Sequence, residues 1–179
     1  MEKGREQGLL HIYCGDGKGK TTAATGLAVR AAGCGMKTLF VRFLKNENSG
    51  ELRILDSIPE IEVLHPSRSF GFYDTLSEKE KTELHRVYGI LWGEIVEKVE
   101  SGNYHMLVMD EFTWAYSMGI VKREESVRFL ESRPQNLEVV LTGRDPAAEL
   151  LEMADYVSEI EKRKHPFDRG VCARRGIEY

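Results

Sequence analysis

The sequence predicts an α/β fold in which a parallel β-sheet is covered by helices on both faces. Short apolar segments of strand length alternate along the chain with amphipathic helical segments, and parallel strands need such helical crossovers between them. A glycine-rich turn joins the first strand to the first helix. The segment at residues 105–109 is apolar on both faces, which is typical of a strand in a parallel sheet.

Six segments are predicted as strands because they are apolar and are flanked by polar or glycine residues. They are residues 9–13, 37–44, 61–64, 105–109, 138–142 and 156–160. The segment at residues 46–50 is predicted as a polar loop, since it combines asparagine, serine and glycine.

Helices fill the gaps between these strands. The first covers residues 23–32 and ends at Gly33-Cys34-Gly35, since glycine favours a helix end. Ser77 and Glu80 form a capping box that begins a long helix. Its apolar stripe, with a helical period, consists of Leu84, Tyr88, Leu91, Ile95 and Val99.

Two shorter helices complete the prediction. One runs from Glu124 to Ser132 and ends before Pro134, because the residue that precedes a proline disfavours helical backbone. The other begins at Asp145-Pro146, since proline is favoured at the first helical position.

The composition limits the kind of protein this can be. A length of 179 residues suits one domain, so we expect residues 1–179 to form a single domain. The net charge of −4 argues against a nucleic-acid-binding protein. No apolar run approaches the roughly 20 residues of a membrane helix, and three widely spaced cysteines suit reduced thiols. We therefore expect a cytoplasmic protein without nucleic-acid or membrane partners.

The turn after the first strand is the most informative motif. Residues 15–22 follow a strand and open into a helix, which is the arrangement of a P-loop. Glycines let the backbone curl so that its N–H groups face an anion, and the start of the helix adds positive potential. We expect this loop to bind a nucleoside triphosphate through Gly15, Asp16, Gly17, Lys18, Gly19, Lys20, Thr21 and Thr22.

Within this motif, Lys20 is expected on the phosphates and the Thr21 hydroxyl on Mg²⁺ (or Mn²⁺). Cys14 stands where the general signature has glycine, and Asp16 brings a carboxylate close to the expected phosphates. We expect Asp16 to face solvent or a cation.

Asp110 and Glu111 directly follow the strand at residues 105–109. In an open parallel sheet, ligands bind outside the carboxyl ends of the strands, so both carboxylates are expected near the P-loop as metal ligands, in the Walker B arrangement. The alternative for Asp110 is a simple helix cap after a core strand. With the P-loop, this pair predicts a P-loop NTPase architecture of the RecA-like type.

Arg144 ends the fifth strand at the same edge, after Thr142-Gly143. A triphosphate carries about four negative charges, which are costly to leave unpaired in a closed site. We expect the Arg144 guanidinium to help neutralise them, although a surface arginine is the alternative.

The chain resembles the P-loop ATP:corrinoid adenosyltransferases. Residues 15–24 are similar to the family's Gly-Asn-Gly-Lys-Gly-Lys-Thr-Thr-Ala-Ala element, and the similarity continues at residues 30–37, 43–45, 110–114, 133–134 and 141–144. It is plainest in the tail, where residues 164–171 and 176–179 match Lys-His-x-[FY]-x-x-Gly-[VI] and Gly-[IV]-[ED]-[FY]. The resemblance covers nearly the whole chain and is weakest at residues 47–102.

This resemblance implies that the 5′-deoxyadenosyl group of ATP is transferred to the cobalt of a reduced corrinoid. Co(I) attacks the ribose C5′ and triphosphate leaves, so Lys20 and Arg144 would act in catalysis by holding the charge of the leaving group. In this family ATP lies reversed in the P-loop, and C5′ faces the corrinoid. No general base is needed, because Co(I) carries its own lone pair.

The resemblance also implies an aromatic wedge. Residues 69–72, Ser-Phe-Gly-Phe, align with the family's Gly-Phe-x-Trp segment, which displaces the lower axial ligand of cobalt and makes the metal easier to reduce. Phe70 and Phe72 are therefore implied as catalytic residues, and core aromatics are the alternative. A homodimer and an electron-donating, flavodoxin-like reductase are implied as partners.

Two departures from the family, and one loop near the site, carry expectations of their own. Arg42 stands where the family commonly has glutamine, so we expect a different polar contact near the nucleotide. The loop at residues 46–53 is expected to cover the corrinoid or the adenosine. Many family members have an N-terminal extension that folds over the site, whereas about eight residues precede the first predicted strand here, so we expect a site that is more open or closed differently.

Two other functions stay open at this point. In a P-loop ATPase or kinase, Glu111 would activate a water and the γ-phosphate would be cleaved. The second alternative is a non-catalytic module that binds a nucleotide or a corrinoid.

Overall fold

The computed structural model describes residues 7–44, 49–71 and 73–178. Its centre is a six-stranded sheet in which every neighbouring pair of strands is parallel. The strands are Leu10–Cys14 (β1), Thr38–Arg42 (β2), Ile61–Leu64 (β3), Met106–Asp110 (β4), Glu138–Thr142 (β5) and Tyr156–Glu159 (β6). Their order across the sheet is β3-β2-β4-β5-β1-β6, so all six predicted strands are confirmed.

Helices connect these strands. Within the described part of the chain they are Lys20–Gly33 (α1), Gly50–Leu55 (α2), Glu78–Ser101 (α3), Phe112–Ser117 (α4), Arg123–Ser132 (α5) and Ala148–Met153 (α6). The capping box that begins α3 is present as predicted, with Ser77 and Glu80 each bonded to the other's backbone. No helix in the described ranges has the length and apolar character needed to cross a bilayer.

The sheet has an apolar core on each face, which confirms the predicted covering by helices on both sides. On one face, strand residues such as Leu39 and Met109 pack with the apolar stripe of α3. On the other face, Phe40 and Val108 pack with the alanines of α1. Each fully buried leucine, valine or phenylalanine stabilises the fold by about 1.5–3 kcal/mol.

Two helices were not predicted, and a third begins later than expected. Residues 50–53 of the expected covering loop at residues 46–53 belong to α2, and α4 has no counterpart among the predicted helices. The helix expected from Asp145-Pro146 begins at Ala148 instead. Asp145 has a backbone φ of +42°, which is outside the right-handed helical region, so the chain turns there before the helix can begin.

The strand order places the predicted site residues together. Because β5 lies between β1 and β4, the carboxyl ends of these three strands are adjacent. The P-loop follows β1, the Asp110-Glu111 pair ends β4, and Gly143-Arg144 follows β5. All three segments therefore meet at one edge of the sheet, where ligands bind in open α/β folds.

Candidate functional site

The glycine-rich loop is packed tightly against the chain after β6. Gly15 and Gly19 have φ values of +102° and +127°, a backbone region that favours glycine. A Cβ added to Gly15 or Gly17 would lie 2.5 or 2.6 Å from the carbonyl oxygen of Ile160. The Gly17 N–H donates to that same oxygen at 2.7 Å. The loop therefore needs glycines both for its turns and for this close approach.

Lys20 is the first residue of α1, and its side chain lies inside the loop. The residue is only 7% exposed, and its Nζ donates to the carbonyl oxygens of Gly15 and Gly17 at 2.7 Å each. The loop thus surrounds a buried positive charge. An anion bound in the loop would meet this ammonium directly.

Thr21, Asp110 and Thr142 form a hydrogen-bonded group beside the loop. The Thr21 and Thr142 hydroxyls donate to Asp110 Oδ1 at 2.8 and 2.6 Å. Thr142 Oγ1 in turn accepts the Glu111 N–H at 2.9 Å. Asp110 is fully buried, so its carboxylate is held rigidly within reach of α1.

Glu111 turns the chain sharply from β4 into α4. Its φ of +62° lies in the left-handed region, which costs a non-glycine residue about 1–3 kcal/mol. The Glu111 side chain lines the cavity described below. Strained residues of this kind persist where the surrounding structure holds them, often at functional sites.

Arg144 reaches the same edge from β5. Gly143 before it has a φ of +150°, and a Cβ there would overlap the Thr113 hydroxyl. That hydroxyl donates to the Arg144 carbonyl oxygen at 3.1 Å. The backbone of Arg144 is therefore fixed, while its side chain is exposed and lines the cavity.

A cavity of about 640 Å³ unites these segments, a volume in the usual range of small-molecule sites. Its lining includes most of the predicted ligands, namely Asp16, Gly17, Lys18, Gly19, Lys20, Thr21, Thr22, Glu111 and Arg144. Gly15 and Asp110 lie directly behind it, bonded to Lys20 and Thr21. The structure thus brings together, in one cavity, the segments that were predicted to bind phosphate and metal and the predicted Arg144.

The Asp16 carboxylate is hydrogen-bonded to the chain that follows β6. Its Oδ1 accepts the Lys162 backbone N–H at 2.9 Å. This hydrogen bond, with the Lys162 and Arg144 charges, holds the pKa of Asp16 below its usual value. A carboxylate stabilised in this way helps to fix the loop.

The C-terminal tail closes one end of the cavity. His165, Gly176, Ile177 and Glu178 belong to its lining, and these contacts were not predicted from the sequence. Lys18 Nζ donates to Glu178 Oε1 at 3.1 Å. The charge pattern of the tail could not identify this pair, because its two residues are 160 positions apart.

We expect the Glu178→Gln substitution to release the tail from the loop. Hydrogen bonds from Arg174, together with Lys18, lower the pKa of Glu178 to about 2. Because the folded pKa lies below the unfolded one, the ion pairs stabilise the tail above about pH 4 and are lost as the pH falls towards 2. Tryptic cleavage in the tail should become several-fold faster in the variant at neutral pH.

Glu124→Gln, an exposed change on α5, is the control for this experiment and should leave tail cleavage unchanged. Equal cleavage rates for Glu178→Gln and the unsubstituted protein would show that the Glu178 ion pairs do not hold the tail against the loop.

Of the two aromatic residues predicted to form the wedge, the structure describes Phe70. Phe70 is partly buried and packs against the core, with the Arg68 guanidinium carbon 5.2 Å from the centre of its ring. Phe70 is not among the described residues that line the cavity. Phe72 lies outside the described residues, so the wedge stays a prediction.

The expected covering loop is described in part. Residues 46–48 lie outside the described ranges, whereas 50–53 belong to α2. Gly50, Glu51 and Arg42 line the cavity beside Thr25. Arg42 therefore lies at the same cavity as the glycine-rich loop.

Comparison with solved structures supports the fold. A KaiC-like protein from Pyrococcus horikoshii superimposes with a TM-score of 0.57 at 16% identity, over 89% of this chain and 75% of that one. The EssC protein (ATPases 2 and 3) of Geobacillus thermodenitrificans gives 0.51 at 13% identity, over 94% and 35%. At such identities the likeness shows the fold alone, a parallel sheet covered by helices on both faces.

Sequence relatives are more specific. The family described as ATP:corrinoid adenosyltransferase BtuR/CobO/CobP matches residues 6–179. The corrinoid adenosyltransferase of Escherichia coli is 36% identical over 177 residues, which cover 97% of this chain and 87% of the relative. Those of Salmonella typhimurium and Pseudomonas aeruginosa are 34% and 30% identical over 97% of this chain, and 87% and 85% of the relatives. The chain therefore belongs to the ATP:corrinoid adenosyltransferase family.

Proposed function

We propose that this protein transfers the 5′-deoxyadenosyl group of ATP to the Co(I) centre of a reduced corrinoid and releases triphosphate. Cobalamin, cobinamide and cobyrinic acid a,c-diamide are the candidate corrinoids. The observation that carries the proposal is the buried Lys20 ammonium inside a P-loop, in a chain that belongs to this family. A loop of this kind can hold a leaving triphosphate in place.

The reaction balances with few protein groups. The cobalt lone pair forms the Co–C5′ bond, the C5′–O bond breaks, and its electron pair leaves with the triphosphate. Lys20, the loop N–H groups and Arg144 would hold the negative charge of the leaving triphosphate, since fixed donors stabilise such charge strongly. No side chain has to remove a proton.

The donor set beside the loop fits a hard divalent cation. Hydroxyl and carboxylate oxygens are the ligands that Mg²⁺ prefers, and Thr21, Asp110 and Glu111 offer them at one place. The described residues contain no cluster of three acidic, histidine or cysteine side chains. That fits a cation held by one or two protein ligands together with substrate phosphates. Bound Mg²⁺ (or Mn²⁺) would neutralise phosphate charge.

ATP is proposed to lie reversed, with its terminal phosphates in the P-loop and C5′ turned towards the corrinoid. Thr25, Arg42 and Glu51 line the same cavity as the loop residues, and this continuous lining supports an extended ligand. In this orientation the loop holds the end of the triphosphate far from the reacting carbon.

We further propose that Phe70 or Phe72 displaces the lower axial ligand of cobalt. The Phe70→Ala and Phe72→Ala substitutions should then slow the reaction with a cobalt(II) corrinoid more than they slow the reaction with chemically pre-reduced cobalt(I), because the wedge acts before reduction. Steady-state rates with both substrates test this. An equal loss on the two substrates would show that the aromatic side chain does not act on the axial ligand.

The oligomeric state, the location and the reducing partner of the protein are also proposed. We propose a homodimer, supported by Tyr156 and Val157 on the edge strand β6, which are 52% and 48% exposed. A cytoplasmic location is supported by the free thiols of Cys34 and Cys172, both exposed, since such thiols persist in reducing compartments. A flavodoxin-like reductase would supply the electron for cobalt.

The direct test is incubation with ATP, Mg²⁺ and a chemically reduced corrinoid. We expect the absorbance spectrum of a cobalt–carbon bond to develop and intact triphosphate to accumulate. ADP and phosphate as products would favour a P-loop ATPase or kinase. Tight binding of ATP without turnover would favour a binding module.

A further inference from the structure

Arg42 is a buried cation to which the proposed reaction assigns no role. It is the last residue of β2, its exposed fraction is 3%, and it faces Asp110 across the β2–β4 register. Within the described ranges, Lys20 and Arg42 are the buried cations, and both line the cavity. A positive charge is costly to bury unless a negative group meets it.

The contacts of the Arg42 guanidinium are incomplete. Nη2 donates to Ser49 Oγ at 2.7 Å, and Glu51 Oε1 lies 3.2 Å from Nη1. The contact of Nη1 with Glu51 lacks hydrogen-bond geometry. Neither Nη1 nor Nε therefore has a hydrogen-bond acceptor among the residues that the structure describes. Buried donors without acceptors are rare in proteins because they lose the hydrogen bonds they had in water.

A structural ion pair explains only part of this arrangement. The Arg42–Glu51 contact could anchor α2 to the end of β2. It does not supply acceptors for Nε and Nη1, and it does not require Arg42 to line the same cavity as Thr21 and Thr25. A ligand with several anionic oxygens would satisfy both observations.

We propose that Arg42 is a ligand of the ATP polyphosphate, a proposal that rests on the nucleotide site proposed above. Its planar guanidinium can give two parallel hydrogen bonds to phosphate oxygens. Asp110 is the neighbour of Arg42 in the sheet, and it accepts the hydroxyl of Thr21 in the P-loop. We therefore infer that the P-loop and Arg42 bind the same ligand. Arg42 then binds the polyphosphate from the β2 side, and Lys20 binds it from the loop.

Glu51 competes with the polyphosphate for Arg42. Its side chain is 28% exposed and lines the cavity, where it also repels an anion. Removal of its charge in Glu51→Gln should leave polyphosphate binding as tight as in the unsubstituted protein, or tighter. If the ion pair were merely structural, Glu51→Gln and Arg42→Gln would weaken binding alike.

Calorimetric titration with inorganic tripolyphosphate and Mg²⁺ tests the proposal without the reaction. We expect Arg42→Gln to weaken binding by about 10- to 100-fold, the usual effect of losing hydrogen bonds to a charged group, and Arg42→Lys to recover part of the loss. Thermal melting of each variant without ligand identifies the temperature at which all are folded, and binding is measured below it.

Lys20→Ala separates the two proposals in the same titration. If Lys20→Ala abolishes binding and folded Arg42→Gln binds as tightly as the unsubstituted protein, Arg42 is not a ligand although the nucleotide site stands. If neither substitution weakens binding, the nucleotide site itself is wrong. Equal weakening by Glu51→Gln and Arg42→Gln would also overturn the proposal.

Discussion

Substitution of Lys20 by alanine should lower the rate of adenosyl transfer by at least about 100- to 1000-fold, the usual effect of losing one fixed donor to a developing negative charge. Lys20 is buried, and its ammonium is held by the carbonyl oxygens of Gly15 and Gly17. No other ammonium among the described residues occupies the interior of the loop. The triphosphate would therefore leave with its charge poorly compensated.

Single-turnover rates with pre-reduced corrinoid and saturating ATP measure this effect. Lys79→Ala, which removes an exposed lysine on α3, is the matched control and should keep the full rate. Circular dichroism must show that Lys20→Ala is folded. A folded Lys20→Ala variant within a few-fold of the normal rate would refute the role of the loop.

Asp110→Asn should remove the Mg²⁺ dependence of ATP binding. The asparagine oxygen can still accept the hydroxyls of Thr21 and Thr142, which now bond Asp110 Oδ1 at 2.8 and 2.6 Å, so the fold should survive. The negative charge that attracts the cation is lost. We expect ATP affinity in Mg²⁺ to fall about 10- to 100-fold, the range seen when groups that support a metal are changed.

Titration of ATP with and without Mg²⁺ tests this prediction. The unsubstituted protein and Asp56→Asn, an exposed change after α2, should bind more tightly with the cation. Asp110→Asn should bind with similar affinity under both conditions. An Mg²⁺ response in Asp110→Asn equal to that of the control would exclude Asp110 from the metal site.

The parts of the fold that follow from local sequence were predictable. Strands Ile61–Leu64 and Glu138–Thr142 have the predicted bounds, because each is a short apolar segment between polar flanks. The capping box of Ser77 and Glu80 is a local interaction over three residues, and so it could be predicted from spacing alone. The P-loop could also be predicted from local sequence, because its strand, turn and helix are consecutive along the chain.

The helices that were missed depend on tertiary packing. Both α2 and α4 have six residues, which is too short for stability in isolation. Phe112 and Tyr116 of α4 are fully buried, so the core stabilises this helix. It also begins without a side-chain cap after the strained Glu111. No local pattern in the sequence predicts such a start.

The candidate site likewise has a part that could be predicted from the sequence and a part that could not. Its centre could be predicted, because the carboxyl ends of β1, β4 and β5 must meet once the strand order is known. The tail contact between Lys18 and Glu178 and the burial of Arg42 could not. Both depend on which distant segments cover the sheet edge, and exposed polar segments give no periodic signal.

The most direct test of the whole account follows the oxygen that joins C5′ to the α-phosphate. ATP carrying a heavy-oxygen label at that position is incubated with the protein, Mg²⁺ and a Co(I) corrinoid, and the products are analysed by mass spectrometry. Attack at carbon puts the label in released triphosphate and leaves an unlabelled 5′-deoxyadenosyl group on cobalt. Label found in ADP or AMP, with the corrinoid unchanged, would show attack at phosphorus and contradict the account.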